Sequence, residues 1–199
     1  IMSKKIIITG GLGYIGTELC KLYSGVSWNH NIIVIDNRFI SERVNQIRNW
    51  NMEFIQGDIL DKNLIEKYFK DADVVHHLAG ITNVPKTKSE ISLKYDEKIK
   101  DVAEIGTQNI LDTISNKCKI IFPSTHVVYE GLDEVKTNIA EDETTRPVLA
   151  YSSSKSVNED QLKKSGKNYI ILRLGSVYGY STDSMRIDIM PNLFSKISS

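Results

Sequence analysis

Tyr151 and Lys155 are two side chains with proton-transfer chemistry, four residues apart in the run Tyr-Ser-Ser-Ser-Lys. If this stretch is helical, both side chains lie on one face. A free tyrosine has a pKa of about 10, too high for a base near neutrality, and an adjacent ammonium group can lower it by about 1–3 units. The spacing predicts that Tyr151 exchanges a proton with a substrate hydroxyl group. A Tyr and a Lys at this spacing are also common on an ordinary solvated helix face.

A third polar group stands where such a reaction needs one. Residues 119–124 form a largely apolar run that predicts a strand, and Thr125 follows directly. Proton transfer requires a group that holds the reacting oxygen, and Thr125 is the candidate for that role.

A glycine cluster near the N-terminus has the spacing of a phosphate-binding loop. The apolar run 6–9 leads directly into the cluster at residues 10–16, and a helix-like segment follows. A helix start offers unpaired N–H groups and the positive end of its dipole, so a pyrophosphate can lie there. Gly10 would permit the turn, Gly13 would let the backbone approach the phosphate, and Gly16 would let the helix pack against the strand.

A carboxylate follows at the spacing that a dinucleotide site requires. A second predicted strand, residues 31–36, ends in Asp36, twenty residues after Gly16, where it would accept hydrogen bonds from an adenosine ribose. The alternative is a glycine turn with an incidental surface Asp. With a nicotinamide dinucleotide bound, Tyr151 would exchange its proton as hydride moves to or from the ring, and Lys155 could hold the nicotinamide ribose.

Strands and helices alternate along the chain, which predicts right-handed crossovers and a parallel sheet covered on both sides. We therefore expect an α/β fold, a Rossmann-type doubly wound sheet in three αβα layers. Its ligand would lie beyond the carboxyl ends of the strands. Polar residues predicted at those ends are Asp36, Asp58, His77, Ser124 and Thr125. The predicted strands are residues 6–9, 31–36, 52–56, 73–78, 119–124 and 168–174, and the predicted helices begin near residues 17, 40, 61, 93, 150 and 190.

The long helix predicted at residues 93–116 should bury one face. Its apolar positions suggest an inner stripe formed by Val102, Ile105, Asn109 and residues 110–114.

Length and composition limit the classes of function. The 199 residues suit one α/β domain with a substantial core. Lys plus Arg equals Asp plus Glu at 25 each, which argues against nucleic acid or an anionic membrane as a partner. No run approaches the ~18 apolar residues of a membrane span. Cys20 and Cys118 lack metal or redox spacing, so we expect reduced core residues, no metal site and a cytoplasmic protein.

The motifs together resemble the extended short-chain dehydrogenase/reductases. Within them the chain is similar to the NAD-dependent nucleotide-sugar epimerase/dehydratase family, and most of all to its UDP-glucose 4-epimerase-like branch. The matching residues keep the family's order over nearly the whole chain: the glycine cluster 10–16, Asp36 with Asn37, residues 57–59, His77 to Gly80, Gly106, Thr107, Asn109, Ser124, Thr125, Val128, Tyr129, Tyr151 to Lys155, and residues 172–179.

This resemblance implies a role for each matching residue. The glycine loop with Tyr14 and Ile15 would contact the pyrophosphate, and Asp36 with Asn37 the adenosine ribose. Asp58 and Ile59 would flank the adenine, and Leu78, Ala79 and Gly80 would line the far side of the cofactor. Thr125, Tyr151 and Lys155 would form the catalytic triad. The charge of Asp36 favours NAD over NADP because it would repel a 2′-phosphate, whereas Arg38 nearby leaves NADP open.

Several positions depart from the family pattern. Where dehydratases carry an Asp-Glu pair after the catalytic Thr, this chain has His126 and Val127, which favours epimerisation or simple carbonyl reduction over elimination of water. His126 is interpreted as a substrate-side or structural residue. Glu130 replaces a family Gly, and Ala103 and Ser176 replace family Asn residues. These changes concern substrate contacts and leave the cofactor contacts intact.

Family members also continue beyond the point where this sequence stops. We expect residues 1–180 to form an NAD-binding domain with the catalytic residues, and residues 181–199 to begin a substrate-binding lobe that is largely absent. The chain is then a fragment, or the lobe was lost, or a partner chain completes it.

Three functions remain open from the sequence. The first is an NAD-dependent epimerase or reductase of a nucleotide-sugar with Tyr151 as base. The second is an NAD-binding module with little turnover, and the third is a scaffold without cofactor. By resemblance alone, we expect a homodimer formed through the long helix and the helix that carries Tyr151.

Overall fold

A six-stranded parallel sheet forms the centre of the molecule. The computed structural model describes residues 3–26, 29–82, 93–181 and 184–198, so the predicted lobe segment is described at 181 and 184–198 only. The strand order β3-β2-β1-β4-β5-β6 is that of a Rossmann-type doubly wound sheet, as predicted. The strands are β1 Lys5–Thr9, β2 Asn31–Asp36, β3 Glu53–Gln56, β4 Val74–His77, β5 Lys119–Thr125 and β6 Asn168–Leu174.

Helices connect the strands and cover the sheet. Asp61 begins one of them as predicted, because its carboxylate accepts hydrogen bonds from the backbone N–H groups of Asn63 and Leu64 at 2.9 and 3.3 Å. The helices are α1 Tyr14–Ser24, α2 Ser41–Asn49, α3 Lys62–Phe69, α4 Leu93–Thr113, α5 Ala150–Lys164 and α6 Met190–Ser198, and a 3₁₀ helix spans His126–Tyr129.

Two apolar cores lie on opposite faces of the sheet. On one face, Ile7 of β1 packs in the core that α3, α4 and α5 cover, and on the other, Ile6 and Ile8 pack in the core beneath α1 and α2. Because successive side chains of a strand point to opposite faces, the unbroken apolar run of β1 serves both cores. The three-layer αβα prediction is confirmed.

The inner stripe predicted for α4 is wrong at Ile105, and its range 110–114 also includes the exposed Asp112. Val102, Asn109 and Ile110 are buried, but Ile105 is 48% exposed. At about 100° per residue, the five positions between Ile105 and Ile110 place them about 140° apart around the helix. Ile105 therefore lies outside the buried face.

Both cysteines are free and buried in the core, as expected. Burial raises the pKa of Cys20 to about 12 and that of Cys118 to about 11, so both thiols stay protonated at neutral pH. Within the part of the chain that the structure describes, no helix has the length and apolar character of a membrane span.

Candidate active site

One cavity of about 1190 Å³ lies at the carboxyl ends of the strands. Its glycine-loop end is formed by the residues that follow β1, β2 and β3, and its tyrosine end by those at the end of β5 and the start of α5. Every site residue predicted from the sequence lines this cavity: Gly10, Gly13, Tyr14, Ile15, Gly16, Asp36, Asn37, Asp58, Ile59, Leu78, Ala79, Gly80, Thr125, Tyr151 and Lys155.

The glycine loop is a tight turn that leaves no room for side chains. Gly10 has φ +67°, and a Cβ atom there would lie 2.8 Å from the backbone N and Cα of Ala79. A Cβ atom on Gly16 would lie 2.7 Å from the Cα of Gly11. The N–H of Gly10 donates to the carbonyl of Ile35 at 2.7 Å, which attaches the loop to β2. These contacts explain why glycine is required at positions 10 and 16.

Two carboxylates order the loops beside this turn. Asp36 is buried at the end of β2 and accepts a hydrogen bond from the N–H of Leu12 at 3.0 Å. Asp58 accepts from the side-chain amide of Asn37 at 3.2 Å and from the N–H of Leu60 at 3.0 Å. The glycine-loop end is thus held largely by hydrogen bonds between the backbone and side chains of three successive loops.

At the tyrosine end, the side chain of Thr125 interacts with that of Tyr151 and favours its ionised form. The Thr125 hydroxyl oxygen accepts a hydrogen bond from the N–H of Val127 at 3.2 Å. Burial raises the pKa of Tyr151, while the bond to Thr125 and the charge of Arg186 act against that rise.

Lys155 makes a different contact from the one expected. Its Nζ donates to the carbonyl of Pro123 at 2.8 Å and lies 4.3 Å from the ring centre of Phe122. Burial lowers the pKa of Lys155 to about 8, and the charge of Glu159 partly opposes this shift. The expectation that the Lys155 ammonium lowers the pKa of Tyr151 is wrong for this structure, because the pKa is raised and Lys155 is not among its causes.

A buried ion pair fixes α5 against β5 and β6. Glu159 receives two hydrogen bonds from the guanidinium of Arg173, at 3.0 and 2.7 Å, and one from the hydroxyl of Ser124 at 2.6 Å. The Glu159 side chain is 2% exposed, and these donors hold its pKa below the usual range. Ser124 is therefore a structural partner of α5 as well as a cavity residue.

His77 is the last residue of β4, as predicted, but it is buried in the core and does not line the cavity. Its two ring nitrogens are each 3.0 Å from a hydroxyl, those of Thr9 and Thr107, and Ala79 N–H donates to the same Thr9 oxygen at 3.0 Å. Burial lowers the pKa of His77 to about 3. It is a neutral residue that joins β1, β4 and α4.

No group of three or more His, Cys, Asp or Glu residues placed to hold a metal ion occurs in the described ranges of the chain. The chemistry of the cavity is that of hydroxyl, ammonium and carboxylate groups around a glycine turn.

The sequence profile of the NAD dependent epimerase/dehydratase family matches residues 6–199. The chain belongs to this family. Because the matched range includes both ends of the cavity, the family assignment and the geometry concern the same residues.

Relatives within the family carry out different reactions. A dTDP-D-glucose 4,6-dehydratase of Dictyostelium discoideum is 31% identical over an alignment of 197 positions that covers 88% of this chain and 44% of that protein. A putative UDP-glucose 4-epimerase of Methanocaldococcus jannaschii is 34% identical over an alignment of 186 positions that covers 89% of this chain and 57% of that protein. The chain thus spans about half the length of these curated relatives.

Solved structures show the same fold. The UDP-glucuronic acid 4-epimerase of Bacillus cereus in complex with NAD superposes with a TM-score of 0.76 at 28% identity. The match covers 98% of this chain and 62% of that enzyme.

Glu130, which departs from the family pattern, anchors the segment that leads into the helix carrying Tyr151. Its carboxylate accepts from the N–H groups of Val148 and Leu149, at 2.7 and 2.8 Å, and from the hydroxyl of Ser152 in the first turn of α5. These bonds lower the pKa of Glu130 against the effect of its partial burial. Glu130 therefore fixes the start of α5 from a distant loop, next to the N-cap residue Leu149.

The segment after β6 folds back onto the glycine loop. The hydroxyl of Tyr14 donates to the carbonyl of Gly179, whose N–H donates to the buried side chain of Asn192 at 2.9 Å. The amide of Asn192 donates to the carbonyl of Arg186 at 2.8 Å. Asn192 and the cavity residue Arg186 were not predicted as site residues, because both follow the last recognisable motif and only the fold brings them near Tyr14 and Tyr151.

His126 lines the cavity beside Thr125. Its Nδ1 lies 3.1 Å from the carbonyl of Leu174, and since a carbonyl accepts, Nδ1 carries the proton. The ring is thereby attached to the end of β6. This position agrees with its interpretation as a substrate-side or structural residue.

Proposed function

We propose that residues 1–180 form the NAD-binding and catalytic part of an enzyme that epimerises a nucleotide-sugar by reversible hydride transfer. The observation that carries the proposal is a single cavity with a glycine turn at one end and the Thr125, Tyr151 and Lys155 side chains at the other. Relatives of known name act on nucleotide-sugars. A related reductase activity uses the same groups.

The cavity fits a dinucleotide. Gly10 and Gly16 let the turn pack closely against Ala79 and Gly11, and Gly13 adds no side chain at the start of α1, so the pyrophosphate of NAD can approach the N–H groups there. Asp36 stands beside this turn where the adenosine ribose would lie. The remaining length of the cavity reaches Tyr151 and Lys155, which would hold the nicotinamide ribose.

When bound, NAD supplies the acceptor and later the donor of the hydride. Tyr151 removes the proton from the sugar hydroxyl as a carbonyl group forms, and returns it in the reverse step. Thr125 lies beside Tyr151, where its hydroxyl would hold the reacting oxygen. Because the pKa of Tyr151 is raised, a neighbouring positive charge must stabilise the phenolate during the reaction; Arg186 already acts in that direction.

Epimerisation is preferred over elimination of water. Elimination needs a further acid and base next to the reacting carbon, and the positions after Thr125 hold His126 and Val127. His126 donates from Nδ1 to Leu174, which leaves Nε2 as the one nitrogen able to act on a substrate. A single imidazole does not replace a pair of carboxyl groups.

A single-turnover assay tests the proposal. Purified protein loaded with NAD is mixed with UDP-, GDP- and dTDP-sugars, and formation of NADH is followed by absorbance. We expect one sugar class to reduce the bound NAD, and Tyr151→Phe to slow this reduction by about 10²–10⁴-fold with only a small loss of NAD affinity. Tyr169→Phe, on the edge strand β6, is the matched control and should change neither.

The other outcomes select the alternatives. NAD binding without reduction by any sugar would make the chain an NAD-binding module. If NAD also failed to raise the melting temperature, the chain would be a scaffold without cofactor, and the proposal would be wrong.

The proposal includes a homodimer formed through α4 and α5. Each helix carries an exposed apolar side chain, Ile105 on α4 and Val157 on α5, which are 48% and 38% exposed. We expect Ile105→Asp to shift the protein towards the monomer in analytical ultracentrifugation, and an unchanged mass would contradict this interface.

A further inference from the structure

The carboxylate of Asp36 is fully occupied by hydrogen bonds. Its Oδ1 accepts from the backbone N–H and from Nε of Arg38, both at 3.0 Å. Its Oδ2 accepts from the N–H of Leu12 at 3.0 Å and from Nη2 of Arg38 at 3.2 Å. A carboxylate offers about four lone-pair sites, and these four donors use them. A ribose hydroxyl can donate to Asp36 only when one of the donors leaves.

The guanidinium of Arg38 is the donor able to leave. Two of the four donors are N–H groups of this guanidinium. The other two are the backbone N–H groups of Leu12 and Arg38, which are held by the glycine loop and by the turn after β2. The Arg38 side chain is 53% exposed, whereas that of Asp36 is 4% exposed. Because the guanidinium is half exposed, water hydrates it when it leaves, and the ribose hydroxyl that replaces it keeps the buried Asp36 carboxylate hydrogen-bonded.

The guanidinium lies in the cavity, next to the phosphate-binding turn. Nη2 of Arg38 is 4.0 Å from the position that a Cβ atom on Gly13 would take. A guanidinium carries five N–H groups, and the bonds to Asp36 use two of them. Arg43 also lines this part of the cavity and donates to the carbonyl of Leu12. Two positive charges thus accompany the one negative charge of Asp36.

We propose that Arg38 sets the cofactor preference of this site, and that the chain binds NADP as well as NAD. The 2′-hydroxyl of NAD must displace Arg38 from Asp36. A 2′-phosphate needs no such displacement, because Arg38 neutralises Asp36 and offers further N–H groups to the phosphate, with Arg43 beside it. The inference rests on the dinucleotide binding of the proposed function and extends it to a second cofactor class.

Calorimetric titration of the purified chain with NAD and, separately, with NADP tests this role without any assay of turnover. For the wild type we expect dissociation constants for the two that differ by less than about tenfold. Arg38→Ala should weaken NADP by about tenfold or more and should tighten NAD about two- to fivefold, because the competitor for Asp36 is gone. Arg38→Lys keeps the charge but loses the two-pronged hydrogen bonding of the guanidinium, and its affinities should lie between those of the wild type and Arg38→Ala.

Arg48→Ala is the matched control, because Arg48 is exposed at the far end of α2 and does not line the cavity. It should leave both affinities unchanged. If Arg38→Ala weakens NAD, or leaves the affinity for NADP unchanged, the role of Arg38 is refuted while dinucleotide binding stands. If the wild type binds neither dinucleotide, the proposed function itself fails.

Discussion

The two ends of the cavity are built in different ways. At the glycine-loop end, the turn directly follows β1 and Asp36 is the last residue of β2, so the local backbone positions both. At the tyrosine end, Thr125 and Tyr151 come from elements that distant residues hold together, namely Glu130 and the pair of Glu159 with Arg173.

Because of this difference, cofactor binding and proton transfer should depend on different parts of the fold. A turn of glycines offers its N–H groups wherever the strand and helix form, so the glycine-loop end depends on local backbone. A proton transfer needs side-chain atoms at hydrogen-bond distance, so the tyrosine end depends on long-range contacts that set those distances. We therefore expect substitutions in the supports of α5 to reduce turnover and stability while NAD affinity changes less.

The largest expected effect is at Arg173. Arg173→Ala leaves the buried Glu159 carboxylate with hydrogen bonds from Ser124 and Lys163 alone, and should lower the free energy of unfolding by about 3–5 kcal/mol. Urea denaturation measures this. The surface pair of Arg146 with Asp133 has partners that are 52% and 79% exposed, so Arg146→Ala should cost less than about 1 kcal/mol.

A second variant identifies the cause of the loss. Adding Glu159→Gln to Arg173→Ala removes the buried negative charge that has lost its partner, and should restore part of the stability. If Arg173→Ala cost no more than the surface control, the ion pair would not be what holds α5 in place.

Whereas Arg173 stabilises the fold, the buried positive charge of Lys155 should lower the free energy of unfolding at neutral pH. Its native pKa of about 8 lies below that of an unfolded lysine, so between about pH 8 and pH 10.4 the unfolded chain binds a proton that the native state does not. Wild-type stability should therefore rise with pH across this window, by up to about 3 kcal/mol relative to Lys155→Met. The same variant should lose turnover.

The measurement is urea denaturation of both proteins at pH 7, 8, 9 and 10. Lys164→Met on the exposed face of α5 is the control and should run parallel to the wild type. A constant difference between wild type and Lys155→Met at every pH would show that burial does not perturb this lysine.

At the glycine-loop end, Gly10→Ala should act on binding. Gly10 and Gly166 both have φ +67°, so alanine strains the backbone by about 1–2 kcal/mol at either position. Only at Gly10 does the new Cβ meet the backbone of Ala79, 2.8 Å away, beside the phosphate-binding turn. We expect Gly10→Ala to weaken NAD at least about 100-fold by calorimetry, and Gly166→Ala to leave it unchanged. Equal affinities in the two variants would mean that the turn does not bind the cofactor.

The sequence predicts the glycine-loop end better than the tyrosine end for the same physical reason. Local spacing is sufficient for a strand, a turn and a following carboxylate, so the six strands and residues such as Gly10 and Asp36 follow from neighbouring letters. Spacing also brought Tyr151 and Lys155 to one helix. It did not show where the Lys155 ammonium points, and the structure directs it to the carbonyl of Pro123.

Contacts across the fold explain the other differences. Asn192 and Glu130 act on loops far away in the chain, and no periodicity or motif signals such a contact. Ile105 has the residue type of a core position but lies on the outer side of α4. The ion pair of Arg38 with Asp36 joins residues two positions apart, yet its saturation of the carboxylate depends on the N–H of Leu12 in another loop.

Glu130 offers the finest test of the difference between the two ends. Glu130→Ala removes the acceptor for the N–H groups of Val148 and Leu149, which lead into α5, and should lower the free energy of unfolding by about 1–2 kcal/mol. Because the 3₁₀ helix links Glu130 to Thr125, the same change should loosen the contact of Thr125 with Tyr151 and lower single-turnover NAD reduction about tenfold. NAD affinity should stay within about twofold of the wild type.

Two variants distinguish the loss of the Glu130 hydrogen bonds from the loss of its negative charge. Glu130→Gln keeps an oxygen acceptor and should retain most of the activity, whereas Glu143→Ala removes another carboxylate, paired with Lys136, from the loop that precedes α5 and should have little effect. If Glu130→Ala reduced NAD affinity as much as turnover, the two ends of the cavity would share their supports. The independence of binding from catalysis in this fold would then be refuted, because one loop would position both the cofactor and the base.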